Sequence, residues 1–207
     1  MGSRIALLRP GLVAYQDALA LQHRLADQVR AGGDETLVLL EHPPTYTLGV
    51  RGKEAHLLLS LEAFGARGAE VVRTDRGGDV TFHGPGQLVG YPIMHVRERG
   101  MGPATYVRAI EQVLIDALAS FGIDAGRSEG RPGVWTGGAK IGAIGVRVSR
   151  GVTTHGFALN VNTDLSWFSH IVPCGIAGAG VTSMARIAGA AVELRAAEDA
   201  SVAAFAR

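Results

Sequence analysis

Residues 76 to 91 read Arg76-Gly77-Gly78-Asp79-Val80-Thr81-Phe82-His83-Gly84-Pro85-Gly86-Gln87-Leu88-Val89-Gly90-Tyr91, a strand-like core wrapped in five glycines. Glycine tolerates positive φ and carries no Cβ, so Gly77-Gly78 and Gly84-Pro85-Gly86 form tight turns whose N–H groups can face a bound group at close range. Such a segment brings bare backbone up to a ligand.

The remaining sequence reads as an α/β chain. Ala14, Ala18, Leu21, Leu25 and Val29 recur at helical spacing, and Gly32-Gly33 stops that helix. Thr36-Leu37-Val38-Leu39-Leu40 is a short apolar run of the buried-strand kind, ended by Glu41-His42-Pro43-Pro44, whose prolines lack the amide a ladder needs. Val71-Val72 and Leu88-Val89 are strand segments flanking the glycine-rich loop. Tyr106, Ile110, Val113, Ala117 and Phe121 form a second helical stripe, closed by Gly122. Turn signals at Gly137-Gly138 and Arg150-Gly151 predict an antiparallel meander over 133–162, and the Ala-rich tail from Val192 predicts a closing helix. A length of 207 residues without repeats or linkers leads to the expectation of one domain over residues 1–207.

Composition narrows the class. Apolar residues at 47% and charged residues at 19% suit a folded soluble chain rather than a disordered one. The net charge of +1 argues neither for nor against an acidic partner. Ile5-Ala6-Leu7-Leu8 is cut short by Arg9-Pro10, too brief for a signal peptide, and nothing approaches the roughly 18 apolar residues of a membrane span. A cytoplasmic protein is expected. The single cysteine excludes an internal disulfide and the Cys-rich zinc patterns. It is a buried spectator or a nucleophile.

Pro173 and Gly175 flank Cys174, removing one backbone donor and one side chain, which favours an irregular, accessible loop. By strand alternation Lys140 shares a face with Gly142, Ile144, Val146 and Val148, while Arg147 takes the other, so Lys140 starts an apolar face. Arg76 reads either as a solvated charge or as a fork that orders the loop or meets a substrate carboxylate or phosphate. His83 and His155 read equally as histidines held by hydrogen bonds and as acid-base groups. His42 belongs to a loop near the pocket. His23, His56, His95 and His170 lack metal-ligand spacing, and no metal is expected.

Three segments stand in a fixed order: Arg-Gly-Gly, Thr-aromatic-His, Gly-Gln and Tyr over 76–91; Ala139-Lys140-Ile141-Gly142-Ala143-Ile144-Gly145-Val146-Arg147; and Ile171-Val172-Pro173-Cys174-Gly175-Ile176. Thr154-His155-Gly156-Phe157-Ala158-Leu159-Asn160-Val161-Asn162 lies between the last two. Together they resemble the bacterial octanoyltransferase family, also called lipoyl(octanoyl) transferase or lipoate-protein ligase B, over roughly residues 36 to 184. The resemblance implies a mixed sheet covered by helices, an α/β (α+β) fold shared with the catalytic domains of biotin and lipoate ligases. It implies Cys174 as nucleophile and Lys140 as general acid and base. It assigns substrate binding to Arg76, Gly77, Gly78, Asp79, Val80, Thr81, Phe82 and His83, to Ala143, Ile144 and Gly145, and to Gly156, Phe157 and Ala158.

The implied donor is an octanoyl thioester on acyl carrier protein. The implied acceptor is a lysine of a lipoyl domain of an α-ketoacid dehydrogenase or of the glycine cleavage H protein; neither nucleic acid nor membrane is a partner. Thioester to thioester is nearly neutral in free energy and thioester to amide is downhill, so no ATP or other cofactor is expected. The alternatives are an ATP-dependent lipoate or biotin ligase, which would activate a free carboxylate, and a non-catalytic binder of acyl carriers or lipoyl domains. A C8 chain would lie in an apolar tunnel, with Phe82, Tyr91, Ile144 and Phe157 as its expected lining.

Overall fold

The computed structural model describes residues 5–172 and 180–207. In chain order the strands are β1 (Ile5–Leu12), β2 (Glu35–Glu41), β3 (Thr45–Leu48), β4 (Glu70–Arg73) and β5 (Val80–His83). They continue as β6 (Gln87–Ile93), β7 (Gly126–Ser128), β8 (Arg131–Thr136), β9 (Ala139–Ser149) and β10 (Val152–Asn160). The helices are α1 (Tyr15–Arg30), α2 (Leu61–Gly65), α3 (Pro103–Ala119), α4 (Met184–Ala188) and α5 (Leu194–Phe205).

Among the described residues the strands form a mixed sheet in the order β1-β2-β6-β10-β9-β8-β7 and a second sheet in the order β4-β3-β5. β1 runs parallel to β2, with α1 as the crossover, and the other pairs of the large sheet are antiparallel. The apolar run at 36–40 has no polar face because both of its faces are covered. Leu37 and Leu39 join Leu88, Ile110, Leu114 and Phe157 beneath α3, whereas Val38 and Leu40 join Ala18, Ala26, Val89 and Ile93 beneath α1. Each such fully buried aliphatic side chain contributes on the order of 1.5–3 kcal/mol. A third core, Tyr46, Leu48, Phe64 and Phe82, stabilises the small sheet.

The meander and the closing helix form as expected. Two features differ from the sequence reading. β1 includes Pro10, which an edge strand tolerates where its register shifts between Leu8 and Gly11. Val71-Val72 and Leu88-Val89, read together as strands flanking the glycine-rich loop, belong to different sheets, so this loop is the bridge between them. Among the described residues no helix is long and apolar enough to cross a membrane.

Candidate active site

An open cavity of about 1370 Å³ is bounded by the Arg76–Thr81 segment, the middles of β9 and β10 and the first turns of α3. The two sheets meet there, so Gly77-Gly78 of the glycine-rich loop and Gly145 and Gly156 of the meander reach it. Arg76, Gly77, Gly78, Asp79, Val80, Thr81, His83, Lys140, Ala143, Ile144, Gly145, Gly156, Phe157 and Ala158 all border it. Phe82 does not. Alternation along β5 turns Phe82 away from its neighbours Thr81 and His83, and its ring stacks on Trp167 at 5.1 Å and meets Tyr46 at a tilt at 5.1 Å inside the third core. Of the expected tunnel residues, Tyr91, Ile144 and Phe157 line the cavity and Phe82 packs behind it.

Arg76 is buried at the edge of the cavity and ties its own loop. Nη2 donates to the carbonyl oxygens of Thr47 at 2.6 Å and Asp79 at 2.7 Å, Nε donates to Thr47 Oγ1 at 3.0 Å, and Nη1 donates to the carbonyl oxygen of Gly77 at 3.0 Å. One guanidinium thus gathers the carbonyls of its own loop and pins them to β3, which aims the loop's remaining backbone at the cavity. Asp79 adds a second tie: its Oδ2 lies 2.6 Å from His56 Nδ1 and its Oδ1 accepts from Val80 N at 2.8 Å.

His83 is held by a directional chain. Asn160 Nδ2 donates to the carbonyl oxygen of Thr182 at 3.0 Å, and Gln87 Nε2 donates to Asn160 Oδ1 at 2.9 Å and to the carbonyl oxygen of Phe82 at 3.1 Å. Gln87 Oε1 is thereby turned to His83 Nδ1 at 2.9 Å, so Nδ1 carries the proton and Nε2 is the acceptor, 3.4 Å from Thr47 Oγ1. Burial, with His42 and Arg76 nearby, holds His83 well below the usual imidazole range. It is neutral near pH 7. His42, buried behind this wall, donates from Nδ1 to the carbonyl oxygen of Val13 at 2.7 Å and accepts the Tyr91 hydroxyl at 2.7 Å, and burial lowers its pKa to about 4.

His155 takes a left-handed backbone, φ 58, in mid-strand. Its Nε2 lies 2.7 Å from Asp75 Oδ1, and Arg147 pairs with the other oxygen of that carboxylate. Burial lowers the His155 pKa despite Asp75, while His155 and Arg147 together draw Asp75 down against its own burial.

Lys140 is half-buried at the cavity wall, with Nζ 4.9 Å from the centroid of the Trp135 ring. Its backbone is paired where β10 has ended: Lys140 N donates to the carbonyl oxygen of Gly180 at 2.8 Å, and Thr182 N donates to that of Lys140 at 2.9 Å. Cys174 lies outside the described residues. The residues that lead to and from its segment are anchored, Val172 N to the His56 carbonyl at 2.9 Å and Gly180 to Lys140.

Several members of the site were not read from the sequence. Thr47 sits on a four-residue strand too short to give a pattern, and Gln22 is a buried polar residue on the apolar face of α1. Gln87 and Asn160 fall inside the matching motifs, yet only the fold brings them within 2.9 Å of each other.

Helices on both faces of a mixed sheet, with a small sheet closing a cavity over glycine-rich backbone, define an α/β domain with one broad open site. The solved lipoate-protein ligase A bound with ATP is similar, with a TM-score of 0.78 at 19% identity over 100% of this chain and 85% of that one. The biotin protein ligase of Aquifex aeolicus aligns with a TM-score of 0.55 at 12% identity, over 100% of this chain and 68% of that one. An octanoyltransferase from Geobacter sulfurreducens is 53% identical over 193 residues, covering 93% of this chain and 79% of that protein. Residues 14–206 match the lipoyl protein ligase A/B catalytic domain. The chain belongs to this family and, within it, to the octanoyltransferases, acyltransferase enzymes of protein lipoylation.

Proposed function

We propose that this enzyme takes an octanoyl group from the thioester of an acyl carrier protein, holds it on Cys174, and delivers it to a lysine amine of a lipoyl domain. The observation that carries this reading is the Lys140 backbone, hydrogen-bonded at N and O to Gly180 and Thr182, while the Lys140 side chain lines the apolar cavity. The lysine is therefore fixed to the chain that returns from the segment bearing the only cysteine.

In the first half-reaction the Cys174 thiolate attacks the thioester carbonyl, the carbon–sulfur bond to the carrier arm breaks, and Lys140 gives its proton to the departing thiolate. In the second, the acceptor amine attacks acyl-Cys174, Lys140 takes the amine proton, and the Cys174 thiolate leaves as the amide forms. The octanoyl chain lies against Tyr91, Ile144 and Phe157. No nucleotide and no metal takes part, because the donor is already activated. The acceptors are lipoyl domains of α-ketoacid dehydrogenases and the glycine cleavage H protein.

Intact-mass analysis after mixing the protein with octanoyl-carrier protein, without ATP, tests this. Gain of one octanoyl group in the native protein, and none in Cys174→Ala, is the expected result. Octanoylation of a lipoyl domain only when free octanoate, ATP and Mg²⁺ are supplied would place the chain with the ligases instead.

A further inference from the structure

At about 1370 Å³ the cavity exceeds the roughly 300–1,000 Å³ of sites that enclose a drug-sized ligand, so an octanoyl group fills only part of it. Its charge is also uneven. Among the described residues seven arginines and lysines border it against three carboxylates, in a chain whose net charge is only +1. Two of those carboxylates are already tied, Asp79 to His56 and Glu111 to Arg127, and the third, Glu129, is exposed at a hairpin tip. An octanoyl chain carries no charge and gains nothing from unpaired cations, whose desolvation costs free energy.

The cations that adjoin Lys140 lie on one side of the cavity. Tyr91 on β6, Phe157 on β10 and Ile144 on β9 are uncharged, whereas Arg108, Arg127 and Arg131 stand on α3 and on the hairpin of β7 and β8. Arg127 is tied inside the protein: Nε donates to Glu111 Oε2, and Nη2 donates to the Arg108 carbonyl oxygen and to Gln112 Oε1, each at 3.0 Å. It pins α3 to the hairpin. Arg131 Nε donates to Ser128 Oγ at 2.9 Å and its Cζ lies 4.5 Å over the centroid of the Trp135 ring, so the fork is fixed while both terminal nitrogens have no hydrogen bond or ion pair among the described residues. The side chain of Arg108, exposed one turn before Glu111, has none either. Lys140 Nζ lies 4.9 Å from the centroid of the same Trp135 ring. One indole thus holds both the lysine assigned to the thioester and the first of two unpaired forks.

We propose that Arg108 and Arg131 form a phosphate subsite for the donor, holding the phosphodiester of the pantetheine arm whose sulfur lies at Lys140 while the octanoyl chain runs the other way across the sheet. This rests on the reading that the cavity is the acyl-transfer site. The phosphate is the one charge on such an arm, guanidinium forks bind phosphate oxygens in pairs, and a cavity admits an arm where it would exclude a protein surface. A nucleotide carries the same phosphate chemistry, and the test separates the two sources.

Octanoyl-pantetheine and octanoyl-4′-phosphopantetheine differ only in the phosphate, so the ratio of their kcat/KM values measures the subsite. The native protein should prefer the phosphorylated donor by at least about tenfold, chiefly through KM, the scale of one charge-assisted hydrogen bond. That ratio should fall at least about threefold in Arg108→Gln and in Arg131→Gln, and stay within about twofold in Arg24→Gln, which removes an exposed arginine of α1 outside the cavity. A native ratio near one overturns the proposal. So does an equal fall in Arg24→Gln, which would make the effect one of overall charge. Arg108 is exposed, so Arg108→Gln decides should Arg131→Gln not fold.

Calorimetric titration with pantetheine, 4′-phosphopantetheine and ADP reads the subsite without any acyl chain. 4′-Phosphopantetheine should bind more tightly than pantetheine, and the difference should shrink in both cavity variants. If ADP binds more tightly than 4′-phosphopantetheine and weakens in Arg131→Gln, the subsite is a nucleotide's and the proposal falls. Binding of the arm requires no transfer, so a native protein that selects the phosphorylated arm yet gains no octanoyl group would overturn the acyl-transfer reading alone.

Discussion

A Cβ on Gly133 would stand 3.3 Å from Lys140 Cε and 2.6 Å from the carbonyl oxygen of Gly142. The stem of the lysine lies in the space that this glycine leaves empty. Gly133 also has φ 120, and its amide donates to Glu111 Oε1 at 3.1 Å, a carboxylate paired at 3.0 Å with Arg127. Trp135 lies two residues on, with Lys140 Nζ over its ring. The position of the ammonium is set by β8 and α3 together, not by β9 alone.

Gly133→Ala is accordingly expected to cost about 1–3 kcal/mol of stability, from the strained backbone and the contact with the Gly142 carbonyl. That corresponds to a fall in Tm of about 2–4 °C for each kcal/mol in a chain of this size. Because the lysine stem must also move, acyl transfer should slow by about tenfold with little change in donor KM, the pattern of a lost transition-state contact. Thermal unfolding and single-turnover transfer check the two parts. Native transfer at a lowered Tm would show that the Gly133 space matters to folding alone.

Lys140 itself separates charge from proton transfer. Lys140→Arg keeps a cation at the cavity wall but cannot give up its proton near neutral pH, and Lys140→Met keeps neither property. Acylation of Cys174 should persist better in Lys140→Arg than in Lys140→Met, whereas transfer to the lipoyl lysine should fall by about 100-fold or more in both, the scale of a lost general base. Rapid quench with mass analysis times the half-reactions. Transfer near the native rate in Lys140→Arg would make the lysine an electrostatic support only.

Most of the fold was legible because its signals are local. The period of α3, the prolines after β2 and the glycine turns of the meander each act within a few residues, and the matching motifs carried the family. What stayed hidden depends on distant partners. Phe82 was expected on the tunnel wall because its motif lies there, but alternation along β5 sends it to the third core. Arg76 was left between solvent, substrate and loop, and its bonds to Thr47 on β3 and to the carbonyls of Gly77 and Asp79 appear only once the chain is folded. The left-handed backbone of His155 has no sequence signal, since β10 otherwise alternates like an ordinary strand.

The cavity floor gives a test of chain length. The Phe157 ring lies against Gly90, its cross-strand partner, and a Cβ on Gly90 would meet the ring at 2.1 Å. Gly90→Ala must displace that ring, and the octanoyl reading predicts that the displacement shortens the acyl chain accepted. The ratio of kcat/KM for C8 over C6 donors should fall by about tenfold, the effect of one to two lost methylene contacts. Phe157→Leu in the same chain should restore part of the ratio by removing the atoms that clash. A C8 preference unchanged in Gly90→Ala would mean that the acyl chain does not reach Phe157.

The buried histidines predict how stability depends on pH. His42 has a folded pKa of about 4 against an ordinary value near 6.5, so below pH 6.5 the unfolded state binds the proton more readily than the folded one. Stability from this group is therefore fully present above about pH 6.5 and is lost as pH falls toward 4. At pH 5 the loss is about 2 kcal/mol, at about 1.4 kcal/mol per pH unit where the slope is steepest. His83, held down in the same direction by burial, adds to the slope in the same window. Asp75, whose pKa is drawn below the ordinary carboxylate value, contributes its loss at lower pH. His42→Gln retains an amide to donate to the Val13 carbonyl and an oxygen to accept from Tyr91, but has no proton to gain. Its urea midpoint should start below that of the native protein at pH 7 and then fall less steeply toward pH 5, so that the two curves converge. Parallel curves would show that His42 does not carry this part of the acid sensitivity.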